Sequence, residues 1–234
     1  YIGEPGKTLY CSTTRFDRSC ISYSAALFKN FAREWRTVTL NLPLYQGMEE
    51  LEIGLDPAAK IKPPPAFDRP GRVIFYGTSV TQGGCANRPG MAATNILSRQ
   101  FNVEFINLGF SGSGRGEPDV ARIVASIPDP LVIVLDYEAN AGLAGIRQTL
   151  NPFIDILRAA HPRVPIVVVS RTTAAFFAYH EGSRKADAQA RAFQRRTVTL
   201  RQRQGDRRIE FVDGSRLMGK DPLECMVDGS HPTD

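Results

Sequence analysis

The chain has no apolar run long enough to cross a membrane, no Cys-x-x-Cys pair, and only three histidines and one tryptophan among 234 residues. Without roughly 18 to 20 consecutive apolar residues there is no membrane span to read. The missing Cys-x-x-Cys spacing excludes zinc sites of the usual kind and a thioredoxin-like dithiol, so no metal is expected. Cys11, Cys20, Cys85 and Cys225 allow three pairings, among them a short Cys11–Cys20 loop and a Cys85–Cys225 tie, or stay buried free thiols. A strong charge of either sign is also missing: 29 Lys and Arg against 24 Asp and Glu leave +5, so nucleic acid is not the expected partner. Internal repeats and low-complexity tracts are absent. What is present, 42% apolar residues in 25.8 kDa, suffices for a core in one large domain or two small ones. The chain opens with Tyr1 rather than Met and stops at Asp234 inside the run Asp228-Gly229-Ser230-His231-Pro232-Thr233-Asp234. It reads as a mature or trimmed soluble protein, with an incomplete final element after His231.

Composition shifts once, at Pro63-Pro64-Pro65, where three consecutive prolines favour an extended connector. This divides the chain into a region of 1–63, a Pro-rich linker of 64–70 and a domain of 71–234. In the first, Thr37 to Leu42 and Leu51 to Leu55 alternate apolar with polar at period two, which predicts an antiparallel pair in a small β-sandwich-like region. Beyond the prolines, the runs at 73–76, 103–108, 131–135, 164–169 and 209–212 are short, apolar and β-branched or aromatic. Ile146, Leu150, Phe153, Ile154 and Leu157 recur at helical spacing between the third and fourth runs. Ala186, Ala190, Phe193, Thr197 and Leu200 do so between the fourth and fifth. The pattern predicts a three-layer α/β/α fold with a five-stranded parallel sheet, and a ligand site beyond the strands' carboxyl ends. Arg191, Arg195, Arg196, Arg201 and Arg203 read as a solvated helix face, since no aromatic residues interleave for stacking.

Chemistry at neutral pH most often needs a histidine, and there are three to choose from. His161 ends a helix before Pro162, where it serves helix carbonyls. His180 lies in a loop with only Glu181 beside it. His231 follows Asp228 by three residues in a turn, a spacing that lets the carboxylate orient the ring. Ser79, in Gly77-Thr78-Ser79, leaves the first strand on a tight turn, although Thr81 stands where a G-x-S-x-G elbow needs glycine. The second strand ends in Gly109-Phe110-Ser111-Gly112 and the third in Asp136-Tyr137-Glu138-Ala139-Asn140, which sets Gly112 N–H and the Asn140 amide at the same edge. Gly3-Glu4-Pro5-Gly6-Lys7-Thr8 lacks the first glycine of a phosphate loop, and Glu117 breaks a dinucleotide fingerprint at Gly112-x-Gly114.

These four blocks, Gly77-Thr78-Ser79, Ser111-Gly112, Asn140 and Asp228-Gly229-Ser230-His231-Pro232, resemble the SGNH (GDSL-like) hydrolases in order and content over about residues 70 to 234. With the region before the prolines, the chain is most similar to a bacterial two-domain, carbohydrate-esterase-like branch. The resemblance implies a flavodoxin-like SGNH hydrolase fold, Ser79 as nucleophile, His231 as general base and Asp228 as its orienting carboxylate. It further implies an oxyanion hole of Ser79, Gly112 and Asn140. Two positions depart from the family: Thr78 replaces the usual aspartate, and Glu138-Ala139-Asn140-Ala141 replaces G-x-N-D.

The activity implied is hydrolysis of small acyl esters, acetyl above all, on a carbohydrate or another small ester, with no cofactor and in a periplasmic or secreted setting. Phe176, Phe177 and Tyr179, after the fourth strand, form an aromatic platform for a sugar ring or else a packing cover. A lipase or thioesterase of the same fold is the alternative within the enzymes. A catalytically impaired sugar-binding module is the alternative outside them.

Overall fold

Pro63, Pro64 and Pro65 are exposed and carry no regular secondary structure in a computed structural model, which describes residues 1–15 and 19–233. Five parallel strands follow: β1 (Arg72–Gly77), β2 (Glu104–Gly109), β3 (Pro130–Asp136), β4 (Ile166–Val169) and β5 (Ile209–Val212). Their order is β2-β1-β3-β4-β5, the flavodoxin-like arrangement. Helices α1 (Ser79–Gln82), α2 (Ala93–Phe101), α3 (Pro118–Ser126), α4 (Glu138–Ala160) and α5 (Glu181–Arg203) make the crossovers. The chain leaves β1 towards one side and returns to place β3 on the other. A crevice therefore opens between the carboxyl ends of β1 and β3, where ligands settle in folds of this order.

The residues of the sheet explain its place. Ile74, Tyr76, Ile133, Leu135, Ile166 and Ile209 are fully or almost fully buried, and strands covered on both faces read as continuous apolar runs. The predicted stripe on α4 seals one face: Ile146, Leu150, Phe153, Ile154 and Leu157 are all buried. Each such side chain contributes about 1.5 to 3 kcal/mol relative to exposure. Gly142 lies inside α4 at φ 61°, ψ −175° and breaks it into a short first segment and a long second one. On α5 the buried stripe is Asp187, Ala190, Gln194, Thr197 and Val198, so the predicted Leu200 lies outside it and is exposed. Polar members are accepted there because Gln194 donates to Glu138, also buried.

The antiparallel pair expected at 37–42 and 51–55 is not formed. Among the described residues, backbone pairing before the prolines consists of bridges from Ile2 to Leu9 and from Ile2 to Val38. The physical reason is cover: Leu40, Leu42, Leu51, Ile53 and Leu55 are all exposed, and an alternating strand holds its place only when one face is buried. The segment nevertheless docks on the sheet domain. Arg99 stacks its guanidinium 3.8 Å from the Tyr1 ring centroid, and Gln82 Nε2 donates to the Leu44 carbonyl at 3.0 Å.

Candidate active site

Ser79 opens α1 directly after β1. Thr78 is extended and caps the helix by accepting from Val80 N, which turns the chain sharply at the strand end. Gly77 makes that turn possible, because a Cβ there would stand 2.7 Å from the Asp136 carbonyl. As the first residue of the helix, Ser79 has a backbone N–H without an intrahelical acceptor.

His231 arrives from the other end of the chain. Ser79 Oγ lies 2.7 Å from His231 Nε2, and His231 Nδ1 lies 2.6 Å from Asp228 Oδ2. The second carboxylate oxygen of Asp228 accepts from the backbone N–H groups of Ser230 and His231, each at 2.9 Å. These bonds, the imidazole's first, hold the Asp228 carboxyl down at about 2, so it is an anion under ordinary conditions. An anion facing Nδ1 favours the tautomer with its proton there, which leaves the Nε2 lone pair towards the serine. The turn itself is pinned by Val227 N donating to the His231 carbonyl, Ala175 N to the Gly229 carbonyl and Thr233 N to the Cys225 carbonyl. Asp234 lies outside the described residues.

The second and third blocks meet at the same edge. Asn140 Nδ2 donates to the Phe110 carbonyl at 3.1 Å, which ties the start of α4 to the loop that carries Gly112. Gly112 takes φ +70°, a conformation that favours glycine, and a Cβ would meet nothing within 4 Å. The structure thus sets a hydroxyl against an imidazole, with the Gly112 loop tied to Asn140 at the carboxyl edge of the same sheet.

Several supporting residues were not singled out in the sequence. Gln82 Oε1 accepts from Ser111 N at 2.9 Å, so one side chain clamps both the Gly112 loop and the Leu44 carbonyl. Asn107 donates to the Thr81 carbonyl and accepts from Gly109 N, bracing the turns after β1 and β2. Tyr76 donates to Glu117 at 2.5 Å and accepts from Gly116 N at 2.7 Å. Burial works against the Glu117 anion, but the bonds from Tyr76 and the backbone outweigh it and hold its carboxyl below the usual range. Glu138, whose burial pushes its carboxyl up, accepts from Arg171 N and Gln194 and anchors the helix start two residues before Asn140. The Asp136 carboxylate faces Thr81 Oγ1 at 2.9 Å, and burial pushes it up to about 7. An alignment of relatives is the signal that could have found these polar clamps, since each partner is remote in sequence.

The aromatic segment forms a 3₁₀ turn, Ala175–Ala178, beside the Gly229 turn. Phe177 is buried against Phe176, whereas Phe176 and Tyr179 reach solvent. His161 Nε2 lies 2.9 Å from the Ala125 carbonyl, on the preceding helix rather than its own. The four cysteines are free thiols. An open cleft lined by Arg158, Arg163 and Arg208 lies at the amino ends of β4 and β5, the edge opposite Ser79, and takes no part in this constellation.

The model of the GDSL-like lipase/acylhydrolase family matches residues 71–234. The chain belongs to that family. This GDSL-like chain is similar to a Bacteroides ovatus protein described as a GDSL-like lipase, at 31% identity and TM-score 0.65, over 70% of this chain and 48% of that one. It also resembles the salicylyl-acyltransferase SsfX3 of a tetracycline biosynthetic pathway (23%, TM-score 0.61, 70% and 49%). A Clostridium thermocellum family two carbohydrate esterase shares the fold (17%, TM-score 0.53, 74% and 61%). The chain thus spans about half the length of the first two structures. No curated sequence matches it.

Proposed function

We propose that this GDSL-like chain is a serine esterase that removes small acyl groups, acetyl above all, from a carbohydrate or a comparable small ester. The observation that carries the reading is the unbroken relay from Ser79 Oγ through both ring nitrogens of His231 to Asp228, at 2.7 and 2.6 Å. His231 Nε2 takes the Ser79 hydroxyl proton as Oγ attacks the ester carbonyl. Asp228 keeps the ring oriented and stabilises the imidazolium that results. The carbonyl oxygen becomes an oxyanion, received by Ser79 N–H, Gly112 N–H and the Asn140 amide hydrogen not given to Phe110. The imidazolium then protonates the departing alcohol. Water, deprotonated by the same imidazole, hydrolyses the acyl-serine and restores the hydroxyl. The step needs no cofactor.

The carbohydrate part of the reading is supported by the fold likeness to carbohydrate esterases and by Phe176 and Tyr179 beside the His231 turn. Phe177, buried, would support that wall from behind. A periplasmic or secreted setting belongs to the same proposal. Among the described residues, no helix is long and apolar enough to cross a membrane.

Hydrolysis of p-nitrophenyl esters of increasing chain length tests the reading. Acetate is expected to be turned over best, and Ser79→Ala to abolish turnover and fluorophosphonate labelling while keeping the fold. Preference for long chains would replace the acetyl esterase with a lipase. A folded wild-type protein that neither hydrolyses esters nor takes the label would leave the sugar-binding reading.

A further inference from the structure

Gly83 and Gly84 end α1 tightly, with Gly84 N bonded back to the Ser79 carbonyl at 2.7 Å. A Cβ on Gly84 would stand 3.4 Å from His231 Cδ2, so this turn passes against the imidazole. The next residue, Cys85, holds a left-handed backbone at φ +67°, unusual for a residue other than glycine. The outcome is a thiol beside the Ser79 relay: one donor atom each from Cys85, Asp228 and His231 lie within 4.8 Å of one another. Two donors on one tetrahedral zinc ion stand about 3.5 Å apart, as its usual bond lengths dictate, so shifts of about 1 Å separate this set from a zinc-bound one. Cys85 and Asp228 are exposed and His231 is half-buried, which gives an ion in solution a way in.

We propose that Cys85, His231 and Asp228 form an inhibitory site for a thiophilic divalent cation such as Zn²⁺. The inhibitory consequence rests on the esterase reading above; the binding site does not. Thiolate, imidazole and carboxylate are a donor set that suits zinc, with water in the fourth position. Binding releases the Cys85 thiol proton, and the sulfur, a ring nitrogen and a carboxylate oxygen each donate a lone pair. The ion takes the place of the Nδ1 proton that faces Asp228. That drives the imidazole proton to Nε2, which removes the lone pair that accepts the Ser79 proton and blocks turnover. This differs from a structural zinc site, whose paired cysteine spacing the sequence lacks.

Zinc titration against a chromophoric chelator, with ester hydrolysis followed in parallel and Co²⁺ used as a spectroscopic stand-in, decides the matter. The wild-type chain should bind Zn²⁺ and lose turnover over the same concentration range, with recovery on adding EDTA. Cys85→Ser should keep its turnover without metal and require about tenfold or more additional zinc for half-inhibition. The thiolate-to-cobalt absorption should vanish in Cys85→Ser and in His231→Ala but persist in Cys225→Ser. Superimposable zinc curves for wild type and Cys85→Ser, or a thiolate band that survives Cys85→Ser, would overturn the site. If the wild type shows no turnover at all, the esterase reading fails, and the cobalt band still decides the metal site.

Discussion

Ala175 donates its N–H to the Gly229 carbonyl at 2.7 Å, which ties the loop after β4 to the turn that presents His231. Gly229 sits at φ +77°, and a Cβ there would come 2.9 Å from Ala175 Cβ. Gly229→Ala therefore strains the backbone and pushes the turn off Ala175. Displacing a reacting group by about 1 Å can cost on the order of a hundredfold in rate. Turnover of p-nitrophenyl acetate is expected to fall by that order with KM little changed; an unaltered kcat would show that the turn adapts.

Asn140 connects α4 to the Phe110 carbonyl and is proposed to give its second hydrogen to the oxyanion. Asn140→Ala should lower kcat by about a hundred- to a thousandfold. Asn140→Asp keeps the size but loses the donor, so it should not rescue. Steady-state kinetics on the acetate ester separate the two roles.

The sign of the Asp228 shift sets the shape of the acid limb. Its carboxyl is held below the ordinary 3.8, at about 2, so the orienting anion is present above the ordinary value and lost only as pH falls through about 2. Above about pH 3 the Asp228 carboxyl therefore adds no ionisation of its own to the acid limb, and log kcat/KM should fall there with a slope no steeper than one. A slope of two in that range would place the carboxylate's titration there as well. Asp228→Asn should reduce kcat by on the order of a thousand- to ten-thousandfold, through the wrong tautomer.

Asp136 carries the opposite shift. Its folded carboxyl, raised from 3.8 to about 7, binds a proton more readily than the unfolded chain does, so stability falls as pH rises from about 4 to about 7. The contribution lost is at most roughly 4 kcal/mol at 1.36 kcal/mol per pK unit. Asp136→Asn keeps an acceptor for Thr81 and removes the ionisation. Urea unfolding at several pH values should show a flatter slope for the variant and greater stability at pH 8; identical slopes would contradict the assignment.

The parallel sheet was legible in the sequence because buried strands demand unbroken β-branched runs, and the runs around Val73, Ile106, Val132, Val167 and Ile209 meet that demand locally. The α4 stripe followed from helical period for the same reason. The region before the prolines was not legible. Alternation at Thr37 to Leu42 and Leu51 to Leu55 specifies a strand only where another layer covers one face, and their apolar side chains stay exposed. Ser79, Asp228 and His231 stand out in the sequence as candidates by residue type and by short spacings within their own turns. That Ser79 meets His231 across 152 positions, at 2.7 Å, is decided by the β1 turn and the Ala175–Gly229 bond, which no local pattern encodes. The clamps from Gln82, Asn107, Glu117 and Glu138, and the thiol of Cys85 beside the imidazole, are likewise tertiary. Polar partners far apart in sequence carry no periodicity, and only the folded chain brings their atoms within reach of one another.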